Sequence, residues 1–388
     1  MTHRKTRRIL TAAAAVTVAA LGLAGCSSTS GESSSSDPIR FGVSGPLTGD
    51  QAQYGEDWQE GFELAIEQIN ADGGVNGRQV EIDFQDSQGE AAQATTIAQK
   101  FVADESILAV LGDFSSATSM VASPIYQDGG LVQLGITNSH PDFTDTGDYI
   151  FSPSVTQEND ARTLENGARE LGDKQAVFYL NTDWGSTAFE IYQDEADTNG
   201  DDIVFSTAVD ETSTDFRTQL IQARDAGADV ITLITYYQTS SLIVQQAKTT
   251  GLEDTPVVAV GSNYSSEFLD LAGDDAEGVQ IPTTFFSGSS NEDVVAYVEA
   301  FNEKFGHDPN LFSTVAYDGL KQLAWAVENS DGTREGIRDA LADGTDIPSV
   351  VYGGFSYNDE RRIDDPTYTW IEVSDGAFIE STLLGNNS

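Results

Sequence analysis

By residue type, the chemistry open to this 388-residue chain is narrow. It holds one cysteine, three histidines and 63 acidic residues against 19 lysines and arginines, a formal net charge of −44. A single thiol excludes an intramolecular disulfide and a cysteine-based metal cluster. His140 and His307 are isolated, and neither lies in a metal-ligand spacing. There is no G-x-x-x-x-G-K-[ST] loop to cradle phosphates and no G-x-G-x-x-G after a strand. Gly42-Val43-Ser44-Gly45 lacks the spacing of a nucleophile elbow. Among so many acids, a glycosidase-like carboxylate pair has no positive support. The negative charge argues against a nucleic-acid partner, because phosphates need Lys/Arg clusters, and against electrostatic docking on anionic lipid. The chain is expected to need no metal and no cofactor and to catalyse no reaction.

The cysteine gains meaning from its position. Met1 to Arg8 is basic, with Arg4, Lys5, Arg7 and Arg8, and Ile9 to Leu23 is an Ala-rich apolar run. That run is short for a membrane span and fits the core of a signal peptide. It ends in Leu23-Ala24-Gly25-Cys26, which resembles the bacterial lipobox, where small residues precede a thiol that carries diacylglycerol. Residues 1–26 therefore read as a lipoprotein signal peptide with Cys26 as the lipidation site. Ser27 to Asp37 has no hydrophobic residue, so 27–38 reads as a flexible tether. A lipid on a tether implies an exported domain anchored to the outer face of the cytoplasmic membrane. Without its leader the chain keeps 63 acids against 15 bases, an excess that reads as a solvated surface.

From Ile39 onward, short apolar strands alternate with amphipathic helices. Ile39 to Val43 is a strand, and Trp58, Phe62, Ala65, Ile66 and Ile69 line one helical face. Gly73-Gly74 and Asn76-Gly77 stop that helix and turn the chain. Strands follow at 80–84, 108–112 and 130–136, with helices at 90–102 and 116–127 between them. The pattern restarts with a strand at 176–180, a helix at 187–198, a strand at 229–235 and a helix at 240–250. Alternating βα units imply α/β architecture with parallel sheets covered by helices on both faces. Two such sets predict two doubly wound parallel-sheet lobes with a ligand cleft between the carboxyl ends of their strands.

Several segments carry a specific likeness. They are Ile39-Arg40-Phe41-Gly42-Val43-Ser44-Gly45-Pro46-Leu47-Thr48-Gly49 with Gln53-Tyr54-Gly55, then Ala65 to Gly77, and then Asp86. Val110-Leu111-Gly112 with Ser115-Ser116, and Ala122-Ser123-Pro124-Ile125-Tyr126, continue it. Together they resemble the type I periplasmic (solute) binding proteins, in the leucine/isoleucine/valine-binding branch of ABC importers. The likeness runs from about Ile39 to the C-terminus and is strongest in residues 39–145.

The resemblance implies three hinge crossovers, near Pro153, Pro282 and Gly353-Gly354. It assigns 39–153 plus 283–353 to an N-terminal lobe and 154–282 plus 354–388 to a C-terminal lobe. It places a ligand carboxylate on Ser116, at a helix N-terminus, and on Ser139 in the next loop. A helix N-terminus offers unpaired N–H groups and partial positive charge, which suits a carboxylate, although Ser116 also fits a helix cap. Phe114 and Ser115 lie just before it, and Thr137 would offer its carbonyl to a ligand amine. Tyr54 would cover the ligand from the N-terminal lobe, unless it packs on its own helix. Trp184 and Tyr236 would cover it from the other lobe. One position departs from the pattern: leucine-type proteins place a Glu for the ligand ammonium near Ser262, where this chain has no acid. A buried ammonium needs a partner, and Asp113 or Asp183 are the substitutes, with Glu267 the nearest acid in sequence.

The expected function is an extracytoplasmic binding lipoprotein of an ABC importer. Its expected partners are a small polar ligand, foremost a branched-chain or other neutral amino acid, and a membrane ABC permease; a monomer is expected. Amides, urea or small aromatic carboxylates as ligands, and a sensor role, are the alternatives. A secreted hydrolase on the same two-lobe frame is the remote one.

Overall fold

The computed structural model describes residues 37–364 and 366–385. The leader, Cys26 and most of the expected tether lie outside the described residues. Strand β1 (Ile39–Gly45) buries Ile39, Phe41 and Val43 completely. Helix α1 (Ala52–Ala71) turns Trp58, Phe62 and Ala65 inward, as its spacing predicts. β2 (Val80–Asp86), α2 (Ala91–Ala103), β3 (Ile107–Gly112), α3 (Ser116–Asp128), β4 (Val132–Leu134) and β5 (Ile150–Phe151) follow. The five strands form one parallel sheet in the order β2-β1-β3-β4-β5.

α4 (Gln157–Leu171) then leads into a second set: β6 (Lys174–Leu180), α5 (Asp183–Asn199), β7 (Asp202–Val209), α6 (Arg217–Ala226), β8 (Val230–Ile234), α7 (Tyr237–Ala247), β9 (Val257–Ala259), α8 (Ser266–Ala272) and β10 (Gln280–Thr283). From there the chain returns to the first half through α9 (Glu292–Phe305), α10 (Leu311–Glu328) and α11 (Arg334–Asp343). A ribbon of β11 (Ile347–Ser349) and β12 (Gly353–Phe355) precedes β13 (Thr369–Ser374) and β14 (Ala377–Glu380). The second sheet runs β14-β13-β10-β9-β8-β6-β7; it is parallel from β7 to β10, and β13 and β14 join antiparallel.

The return segment belongs physically to the first half. The Tyr317 hydroxyl on α10 donates to Gln68 Oε1 on α1 at 2.6 Å. Arg334 on α11 donates to the carbonyls of Ile107 at 2.9 Å and Asp104 at 2.8 Å. The approach of α10 to α1 depends on Gly61, where an added Cβ would sit 2.0 Å from the Ser313 carbonyl oxygen.

Three helices depart from the sequence expectation, and a reciprocal cap starts a fourth. α4 was not expected; it is acidic and polar, and only Ala161, Leu164 and Ala168 give it a buried apolar face. α5 begins at Asp183 rather than 187, because Thr182 Oγ1 accepts from the Gly185 amide at 3.1 Å and caps the helix. α7 begins at Tyr237 rather than 240. α10 begins at Leu311, behind a reciprocal cap in which Asn310 accepts from the Phe312 and Ser313 amides and Ser313 accepts from the Asn310 amide.

Candidate ligand-binding cleft

Both sheets share one wiring: β2-β1-β3-β4-β5 and β7-β6-β8-β9-β10 are the same strand order. In each, the connections reverse direction beside the first strand, and ligands of such sheets sit outside the carboxyl ends there. Phe114, Ser115 and Ser116 follow β3, and Thr137 and Ser139 follow β4. Trp184 follows β6, Tyr236 follows β8 and Ser262 follows β9. These eight residues from two sheets line one cavity of about 100 Å³. At roughly 10–15 Å³ of such space per water, that is room for several waters, the scale of one small solute.

One wall of the cavity suits an anion. Ser115, not Ser116, is the cap of α3: its Oγ accepts from the Thr118 amide at 3.1 Å. Ser116 is thereby the first helical residue, almost fully buried, and its Oγ accepts from the His140 amide at 3.3 Å. Ser116, in the first turn of α3, lines the same cavity as Ser139, which sets a second hydroxyl near the positive end of the helix. Thr137 uses its hydroxyl to donate to the Phe114 carbonyl at 2.8 Å, which holds the two loops together.

Aromatic rings form another part of the lining. Trp184 stacks on Tyr236 with centroids 5.4 Å apart, and its indole N–H donates to Ser139 Oγ at 3.1 Å. Trp184 therefore lies in the first turn of α5 rather than in an exposed turn. Tyr54 is not part of the cavity wall. It is fully buried behind Phe114, stacked at 4.2 Å, and its hydroxyl donates to the Ser262 carbonyl at 3.3 Å. Packing, not ligand cover, is the role its contacts show. Leu311, Val315, Val260 and Ile136 give the cavity an aliphatic side.

The acids sort differently from expectation. Asp113 lies beneath the site: it accepts from Ser44 Oγ at 2.7 Å and from the Phe114 amide at 2.7 Å, and burial pushes its carboxyl up. Asp183 is mostly exposed, 3.5 Å from His140 Nε2. Glu267 lines a separate cavity with Asp57. The carboxylate that does line the site is Asp160, in the first turn of α4, which accepts from the Tyr368 hydroxyl at 2.6 Å. Burial pushes it up to about 6, which leaves it mainly ionised at neutral pH. Asp160 escaped the sequence reading because α4 did. The available signal was Thr156, an N-cap residue just past the Pro153 turn. Ser262, at the position where an acid was sought, donates to the Thr235 carbonyl at 3.4 Å. Among the described residues, no group of His, Cys, Asp and Glu side chains is placed to hold a metal ion.

A sequence profile of the periplasmic binding protein family matches residues 38–376. The chain belongs to that family. It is a type I member, grouping with the leucine/isoleucine/valine-binding branch. A Pseudomonas aeruginosa relative, the leucine-, isoleucine-, valine-, threonine- and alanine-binding protein, is 27% identical over 91% of this chain and 94% of its own length. A Desulfitobacterium hafniense ABC-transporter substrate-binding protein in complex with Leu is 26% identical, with a TM-score of 0.75 over 89% of this chain and all of that one. The LivJ substrate-binding protein of Streptococcus pneumoniae, in complex with isoleucine, has a TM-score of 0.82 at 23% identity over 88% of this chain and 98% of that one, and it bears on the fold alone. This periplasmic binding protein is thus an exported substrate-binding protein of an ABC transporter, and its relatives are solute binders rather than enzymes.

Proposed function

We propose that this binding protein takes a neutral amino acid with an aliphatic, preferentially branched side chain. One observation carries the reading: a single small cavity brings together the α3 N-terminus with Ser116 and Ser139, the Asp160 carboxylate, and an aliphatic side. The first suits a ligand carboxylate, the second an ammonium, and the third a hydrocarbon side chain. Asp160 then supplies the charge that the family places near Ser262. The names of the relatives point the same way.

Residues 39–153 with 283–363, and 154–282 with the segment from 366 onward, are the two lobes of this reading. Residues 354–363, expected in the second lobe, join the first, because Tyr357 donates to Gln322 and Arg361 and Arg362 donate to the Ile150, Asn138 and His140 carbonyls. The lobes close on the ligand about the crossovers near Pro153 and Pro282 and a third past Ile363; Gly353-Gly354, expected as the third, lies within the β11–β12 ribbon of the first half. Ligand contacts from both lobes favour the closed form by their differential affinity, and a membrane permease receives that form. Cys26 carries the lipid, and the protein acts as a monomer.

Calorimetry against leucine, isoleucine, valine, smaller neutral amino acids, amides, urea and small aromatic acids tests the ligand. Binding confined to the amides, urea or aromatic acids would overturn the amino-acid assignment. For the anchor, Cys26→Ala should move the protein from the membrane fraction to the medium.

A further inference from the structure

Both flanks of the cleft set acid against acid. On one flank, α1 of the five-stranded half presents Glu56, Asp57 and Glu60 to a cavity of about 590 Å³. Across that cavity stands Glu267, in the first turn of α8 of the seven-stranded half. Asp57 is 6% exposed; its oxygens accept from Gln53 Nε2 at 3.3 Å and Asn310 Nδ2 at 2.8 Å, both neutral donors. Glu267 Oε2 is buried with no hydrogen-bond partner. Burial pushes Asp57 up to about 7, and the charge of Glu267 acts in the same direction.

On the other flank, Asp50 precedes α1 and Glu211 follows β7. Gln238 Nε2 donates to the Asp50 carbonyl, so the halves touch there. Burial raises Glu211, and the Asp50 charge raises it further. Among the described residues, none of Asp50, Glu56, Asp57, Glu211 or Glu267 has a lysine or arginine within ion-pair distance. Lys304 pairs with Glu63 and Glu67, further along α1.

We propose that these opposed carboxylates make lobe closure salt-dependent, so that the closed form, and with it ligand affinity, gains as ionic strength rises. This rests on the lobe-closure reading above. Open lobes hold the acids apart in solvent, whereas closed lobes hold them together in partly buried flanks with no lysine or arginine beside them. His307, 3.3 Å from Glu60, faces the first cavity and offsets part of the repulsion when protonated. Mobile ions screen that repulsion: the Debye length falls from about 30 Å at 0.01 M to about 3 Å at 1 M. The direction is opposite to that of a site held together by salt bridges, which salt weakens.

The first test needs no ligand. Small-angle scattering of the mature protein from about 10 mM to about 1 M potassium chloride should show the particle becoming more compact. The Glu211→Gln/Glu267→Gln double variant should be compact already at low salt and respond less. Glu253→Gln/Glu303→Gln, two exposed sites off both flanks that remove the same charge, should behave like wild type. In the presence of a ligand from the panel, affinity should rise about fivefold over that range in wild type and little in the flank variant.

An equal salt response in wild type and flank variant, or none in either, overturns the proposal while leaving the ligand assignment untouched. Compaction by micromolar divalent cations, and not by potassium or tetramethylammonium, overturns it in favour of a specific cation site. A ligand panel without binding, beside an intact scattering response, sinks the ligand assignment alone.

Discussion

The Trp184 indole N–H and the Ser139 hydroxyl meet at 3.1 Å, joining a helix that follows β6 of one sheet to a loop that follows β4 of the other. Gln157 reinforces the junction: its amide donates to the Ser139 carbonyl at 2.9 Å and its side chain to the Trp184 carbonyl at 2.7 Å. The indole thus fixes the hydroxyl assigned to the ligand carboxylate. Trp184→Phe keeps a smaller ring against Tyr236 and removes the donor. At about 1 kcal/mol per net hydrogen bond, ligand affinity should fall about fivefold, with the melting temperature lowered by a few degrees at most. Calorimetry and thermal unfolding on the same sample check both halves of that statement.

Asp160 should set a pH limit on binding. Burial raises its ligand-free value to about 6, and an ammonium partner needs the ionised form. Affinity should therefore be level above neutrality and decline as pH falls through 6, by at most about tenfold per unit. Asp160→Asn should lose at least about tenfold in affinity at pH 7 and show a flat profile. A variant that binds the amino acid normally would remove Asp160 from the site.

Stability should decline as pH rises through the weakly acidic range. Glu165 is buried against Asp201, and burial together with that neighbour raises it. Burial also raises Asp57 to about 7 and Asp318 to about 6. A carboxyl with a raised folded value binds its proton more tightly when folded. Its stabilisation is complete below the unfolded value, near 4, and is lost as pH rises to about 7. The melting temperature of the ligand-free protein should drop by on the order of 5 °C between pH 5 and pH 8, and Glu165→Gln should reduce that slope.

Gly61→Ala should destabilise the five-stranded half. Its new methyl would sit 2.0 Å from the Ser313 carbonyl, so α10 must move away from α1. Urea denaturation should show a loss of about 1–3 kcal/mol, whereas Gly73→Ala, where no atom lies within 4 Å, acts only through its positive φ.

The sequence was most readable where local physics repeats. Ile39, Phe41 and Val43 and the Trp58–Phe62–Ala65 stripe report their burial by spacing alone. The cleft was readable where strand ends meet turns, since eight of the singled-out side chains line it. Three things were hidden. Asp160 sits on a helix whose apolar face is thin. Ser115 outcompetes Ser116 for the cap, because the chain enters α3 extended at Ser115 (φ −83°, ψ 145°). Tyr54 lies behind Phe114, and a stacking order between residues 60 positions apart leaves no periodic trace.

The return of α10 to α1 also has a consequence for biosynthesis. Residues 52–71 emerge from the ribosome long before residues 311–328, yet each covers the other's apolar face. The α1 face at Tyr54, Gly61 and Gln68, which α10 covers, therefore stays uncovered until nearly the whole chain has been made, and the N-terminal half cannot complete its core early. For a chain destined to leave the cytoplasm, late completion lengthens the interval in which it remains an unfolded thread, the form a narrow translocation channel can pass.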